Sequence, residues 1–130
     1  MANFPSDCKY TKEHEWIRKD GDEWTVGITS HAAEQLGDVT FVELPDEGKA
    51  CSQGDAIAAV ESVKAASDVY APAGGTVSGS NGDLEDAPEK VNNDPFGEGW
   101  FFKLKDVKEQ DLDNLMDAEA YDTYVQEQED

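Results

Sequence analysis

The sequence predicts an all-β domain, a sandwich or barrel of short strands, with one short internal helix and a helical C-terminus. Three observations predict it. β-Branched and aromatic residues fall in short runs, and Gly-, Pro- and Asp-containing turns punctuate those runs at regular intervals. Near the end the apolar spacing changes from that of a strand to that of a helix.

The elements follow in order. Residues 15–18 and 23–29 read as two strands, with Lys19, Asp20, Gly21 and Asp22 as turn chemistry between them, which makes a hairpin. Ser30 is placed to cap a short helix from His31 to Leu36, and Gly37 to end it. Residues 39–44 are a strand, turned by Pro45, Asp46, Glu47 and Gly48. Ala56, Ile57, Ala58, Ala59 and Val60 form a strand of small residues, suited to a tight sheet. Residues 68–71 return beside it and Pro72 stops them. Ala73, Gly74 and Gly75 turn the chain into a short strand at 76–78. The polar stretch 80–94 reads as a loop, and 100–104 as the last strand. Leu112, Leu115 and Met116 mark one short helix. Asp117 caps a second, carrying Tyr121, Tyr124 and Val125, and residues 126–130 are expected to fray. Trp16, Trp24, Phe41, Trp100, Phe101 and Phe102 are expected in the core.

At 130 residues the chain fits one domain: a β-domain over 9–105 with a hairpin over 56–72, and C-terminal helices over 106–127. Thirty acidic residues against ten basic ones give a formal charge of −20. That excess argues against nucleic acid or an anionic membrane as a partner. The aromatic residues sit in patterned segments, so the acidity reads as the surface of a folded domain adapted to high salt, a possible halophile's protein. The N-terminus has neither a secretory signal nor an Arg-rich transit pattern, and no apolar run is long enough to span a membrane, so the expected location is cytoplasmic. Cys8 and Cys51 read as reduced thiols. A monomer is expected.

Catalytic motifs are missing: there is no nucleophile elbow and no phosphate-binding glycine loop, and neither His14 nor His31 has a metal-ligand partner at helical spacing. The singular feature is Lys64, in the stretch "VESVKAASDVYAP" from Val60 to Pro72. It stands where a hairpin must reverse, without an Asn-Gly or Asp-Gly turn pair. A rigid hairpin that projects one amine suits covalent modification, with the cofactor swinging from a fixed base.

That stretch resembles the lipoyl-lysine hairpin of glycine cleavage system H proteins. "YTKEHEW" at 10–16, "VGIT" at 26–29, "LGDVTFVELPDEG" at 36–48 and "VNNDPFGEGW" at 91–100 are similar to the family's other signatures. Biotinyl domains usually flank the lysine with methionines, whereas Val63 and Ala65 stand here. The lipoyl domains of 2-oxoacid dehydrogenases usually place Asp before it. Gly74 departs from the family, in which serine is common.

The resemblance implies a barrel-sandwich hybrid, a flattened barrel of two small sheets with added helices. It implies a carrier, not an enzyme, in glycine catabolism and one-carbon metabolism. Lys64 would hold lipoic acid in amide linkage. The carrier would take an aminomethyl group from glycine decarboxylase (P-protein) to the aminomethyltransferase (T-protein), and electrons to dihydrolipoamide dehydrogenase (L-protein). Glu15, Thr29, His31 and Asp68 would line a cleft sheltering the loaded arm, where the two carboxylates suit a protonated amine. Glu61 would be recognised by the lipoylating enzyme, a lipoate ligase or a lipoyl/octanoyl transferase. An alternative is an H-like relay that donates lipoyl groups to 2-oxoacid dehydrogenases.

Overall fold

The computed structural model describes residues 4–129. Residues 1–3, and Asp130 of the tail expected to fray, lie outside the described residues.

Two antiparallel sheets form the body. The larger contains β1 (Cys8–Tyr10), β2 (Glu15–Asp20), β3 (Glu23–Ile28), β5 (Ala50–Cys51), β8 (Gly75–Ser80) and β9 (Phe102–Lys105), in the order β1-β2-β3-β9-β8-β5. The smaller contains β4 (Val39–Glu43), β6 (Ala56–Ser62) and β7 (Ala66–Tyr70), in the order β4-β6-β7. β2 and β3 form the expected hairpin, with Asp20 opposite Glu23. The two residues between them turn on Gly21 at φ 68°, where L side chains are strained.

Neither sheet closes on itself. The large sheet ends on β1 and β5 and the small one on β4 and β7, so the expected barrel is instead two open sheets facing each other across a core. Inward residues of both sheets fill that core, among them Ile17, Val26, Val42, Val60, Val77 and Leu104. The alternation of strand side chains delivers one apolar face per sheet, and the paired faces bury each other.

Helices fill the ends. α1 (Ser30–Leu36) follows β3. Its N-cap is Thr29 rather than Ser30, because Thr29 is still extended (φ −76°, ψ 165°) and its hydroxyl accepts the Ala32 amide. The stretch 80–94 is not all loop: α2 (Asp83–Asp86) and α3 (Lys90–Asn93) are single turns that bury Leu84 and Val91. Each is too short to show helical periodicity. The first C-terminal helix is a 3₁₀ turn, Glu109–Asn114, tied to the body where the Gly74 amide donates to Asp111 Oδ2 at 2.9 Å. α4 (Ala118–Glu129) runs on past Gln126, whose side-chain amide donates to Asp122 Oδ2 one turn back at 3.2 Å. Tyr121 and Val125 pack under it with Cys8, Tyr10 and Trp16 in a second apolar cluster. Both cysteines are free.

Trp16, Phe101 and Phe102 are fully buried, as expected, and Trp24 and Trp100 pack partly buried. Phe41 is not core. A register irregularity between Val39 and Phe41 turns its ring outward, and it is 53% exposed.

Candidate functional site: a lysine-tipped hairpin beside a buried carboxylate

β6 and β7 pair from Ala56–Tyr70 at the base to Glu61–Ala66 at the tip, leaving Ser62, Val63, Lys64 and Ala65 to reverse the chain. Ser62 replaces the missing turn dipeptide. Its amide donates to Ala65 O at 2.8 Å. Its hydroxyl donates to the same carbonyl at 3.1 Å and accepts the Ala65 amide at 3.1 Å. A serine hydroxyl can organise a turn in this way without a residue at positive φ.

The tip is also braced from outside. The Val63 amide donates to Asp38 O at 3.1 Å. Asn92 of α3 clamps the same segment, accepting the Val39 amide at 2.9 Å and donating to Gly37 O at 2.8 Å. Gly37 (φ 79°) leaves room for the lysine stem: a Cβ there would stand 3.2 Å from Lys64 Cε. Lys64 and Val63 are exposed, so a braced backbone presents a free-standing amine.

Beside the tip lies a cleft of about 280 Å³. Ala65 of the turn and residues 66–69 of the edge strand β7 form one wall; Glu13, His14 and Glu15 form the other, with Gln35 of α1. A larger cavity, about 420 Å³, continues past Tyr70 and Pro72 to Leu115 and Met116. Both cavities touch Glu13 and Glu15.

Glu15 is the unusual member. It opens β2 opposite Ile28 and is only 1% exposed. Its Oε1 accepts the Thr11 hydroxyl at 2.5 Å and its Oε2 the Tyr70 amide at 3.2 Å. Burial pushes its carboxyl up to about 7, against the stabilising pull of those two hydrogen bonds. Asp68 is exposed on β7, opposite Ala59, and borders the same cleft. Glu61 is exposed between Phe41 and Ala66 on the outward face of the small sheet.

Thus Glu15 and Asp68 meet at one cleft, while Thr29 and His31 are not on its walls. Thr29 is fully buried, and besides capping α1 its Oγ1 lies 2.8 Å from the Tyr121 hydroxyl. His31 sits against His14, with ring centroids 4.9 Å apart. Gln35, one turn along α1 from His31, takes the wall position instead. Sequence reasoning missed Gln35, His14 and Tyr121. His14 adopts φ 73° and its Nδ1 lies 2.7 Å from the Tyr121 hydroxyl, a contact between residues 107 apart in the chain. Adjacency to Glu15 was the only local sign for His14. Among the described residues, no group of three or more His, Cys, Asp or Glu side chains is placed to hold a metal ion. Likewise, no helix among them is long and apolar enough to cross a membrane.

An amine held out on a braced tip, with a cleft alongside for what it carries, defines a swinging-arm carrier domain. Comparison with known proteins gives the particular carrier. The family model for the glycine cleavage H-protein matches residues 8–128. The glycine cleavage system H protein of Pseudoalteromonas atlantica is 55% identical over 129 residues, covering 98% of this chain and 100% of its own. That of Idiomarina loihiensis is 56% identical over 128 residues, covering 98% and 99%. The crystal structure of the H protein from Mycobacterium marinum superposes with a TM-score of 0.82 at 37% identity, covering 96% of this chain and 98% of that one. The chain belongs to the glycine cleavage H-protein family. It is a carrier rather than a catalyst, the lipoyl-bearing shuttle of the glycine cleavage system.

Proposed function

We propose that Lys64 is the lipoyl attachment point and that the cleft beside it shelters an amine cargo at the end of the arm. The carrying observation is the braced tip that presents Lys64 directly beside the cleft. The residues fit the group: Gly37 leaves the stem its path, and the cleft wall begins at Ala65, one residue from the lysine. When bound, the lipoyl group supplies a disulfide that can accept a one-carbon amine and two electrons.

This chain's own residues bind and shield. Acylation removes the Lys64 charge, so the arm has no cation of its own to draw it to the acidic rim. A protonated amine would then be the cation that Asp68 meets first, with Glu15 behind it out of bulk water. Charge-assisted hydrogen bonds to carboxylates are strong where water is excluded. Thr29 and His31 act from behind, Thr29 by fixing α1 and the Tyr121 hydroxyl, His31 by packing on His14. Glu61 offers a fixed charge, three residues before Lys64, to a lipoate ligase or a lipoyl/octanoyl transferase. Glycine decarboxylase, the aminomethyltransferase and dihydrolipoamide dehydrogenase are the enzymes that would visit the loaded tip of this single carrier domain.

The test is intact mass after incubation with lipoate, ATP and a lipoate ligase. One lipoyl increment is expected on the native chain and none on Lys64→Arg. A native chain that stays unmodified, or a Lys64→Arg chain that gains the increment, overturns the assignment.

A further inference from the structure

Thr11 sits on no strand, yet its hydroxyl makes three hydrogen bonds beside the cleft. Thr11 Oγ1 accepts two amides, those of Glu13 at 3.2 Å and Glu15 at 3.1 Å. Amides can only donate, so both lone pairs of the hydroxyl are taken and its proton has one direction left, toward Glu15 Oε1 at 2.5 Å. The other carboxylate oxygen accepts the Tyr70 amide. Both oxygens of a buried carboxyl therefore face donors, an arrangement that suits the ionised group and leaves a protonated one without a natural place for its hydrogen.

We propose that the Thr11 hydroxyl is a positioning group that keeps Glu15 an anion between the two cavities, ready for a protonated amine. This rests on the reading of the cleft as the cargo shelter. The surroundings otherwise oppose the charge. Burial is the largest influence and favours the neutral acid, and Glu13 on the same segment adds repulsion. The buried Tyr121 hydroxyl approaches from α4. Asp68 and His14 border the smaller cavity, and Lys12, Tyr10 and Tyr70 the larger. Lys12 is the sole cation among these side chains other than histidine, and it is exposed. With the balance near neutrality, losing one charged hydrogen bond would leave Glu15 largely protonated under working conditions.

The experiment follows the Glu15 carboxyl carbon by NMR across a pH titration of the full chain before loading. Thr11→Val keeps the shape and removes the donor. Its Glu15 midpoint should rise by about one to two pH units, the worth of a hydrogen bond to a charged group. Thr11→Ser should restore the native midpoint, and Thr11→Ala serves the same measurement should the valine chain not fold. A merely structural role for Thr11 would lower thermal stability and leave the midpoint in place. An unmoved midpoint, or a serine variant that titrates like valine, overturns the proposal. Glu15→Gln, loaded with the amine, tests the underlying reading separately. If its cargo persists as long as the native chain's, the shelter reading fails even where the Thr11 shift is found. If cargo is lost sooner but Thr11→Val titrates normally, the shelter stands and the role of Thr11 falls.

Discussion

Replacing Glu15 by glutamine should make this protein more stable, and more so as pH rises. The side chain is 1% exposed, and burial raises its carboxyl from 4.5 to about 7. A group whose folded value is raised contributes most below its unfolded value, and that contribution is lost as pH rises through the folded one. Here the window runs from 4.5 up to about 7. Above it the native chain holds a buried anion at a cost of about 3 kcal/mol relative to the protonated acid, at roughly 1.4 kcal/mol per pH unit. Glutamine is neutral throughout. Its oxygen can accept the Thr11 hydroxyl, and like the protonated acid it keeps only one of the carboxylate's two acceptors, a loss that is the same at every pH and drops out of the pH-dependent difference. Thermal unfolding followed by circular dichroism should show similar melting temperatures for the two chains near pH 5. By about pH 8 a gap of roughly 10 °C should open in favour of Glu15→Gln, given about 3–5 °C per kcal/mol for a chain of this length. Many other carboxylates titrate in this acidic protein, but they are common to both chains and cancel in the difference. A gap of the same size at both ends of the range would refute the reasoning. So would a native chain that is the more stable above pH 7.

Two further outcomes follow from the tip and the surface. Ser62→Ala removes the hydroxyl that ties the reversal to Ala65. Hydrogen exchange at the Ala65 amide should quicken by about tenfold, as expected for one lost hydrogen bond, while exchange in β2 and β3 stays as it was; unchanged exchange at Ala65 would show that β6 and β7 hold the tip alone. With a formal charge of −20, and exposed ion pairs such as Lys103–Asp20 at 3.4 Å offering little relief, raising salt from about 10 mM to about 1 M should lift the melting temperature. A flat response would remove self-repulsion as a determinant of stability.

The sequence was most legible where local chemistry decides the outcome. The hairpin at 56–72, the turn at Gly21 and the helix before Gly37 are all written in short-range patterns, and the structure forms them. It was least legible where a distant contact decides. Ser30 and Thr29 are both good caps, and the choice falls on Thr29, which is extended, fully buried and also held by Tyr121, 92 residues away. Phe41 looks like core by type, yet the irregular pairing with β6 points it outward. α2 and α3 each bury a single residue, which leaves no period to read. Closure of the barrel was also out of reach, because it depends on whether edge strands meet, and no local pattern specifies that.

At the cleft, the stretch that leads into α1 meets two different surroundings. Thr29 and His31 belong to the same short stretch that leads into α1, and the family resemblance implied that both line the cargo cleft. The structure gives the exposed work to Gln35 and the buried work to Thr29. Thr29 holds α1 through the Ala32 amide and α4 through the Tyr121 hydroxyl, and Tyr121 in turn holds His14, the neighbour of Glu15. The C-terminal helix is therefore joined to the back of the cleft through a chain of hydrogen bonds. A buried carboxylate costs stability wherever it stands, and it keeps its place only if the segment carrying it cannot rotate away. Thr11 fixes that segment from its N-terminal side, and the Thr29–Tyr121–His14 chain fixes it from α4. Under the proposed cargo reading, α4 docks on the β-body to hold still the cleft wall beside the Lys64 tip.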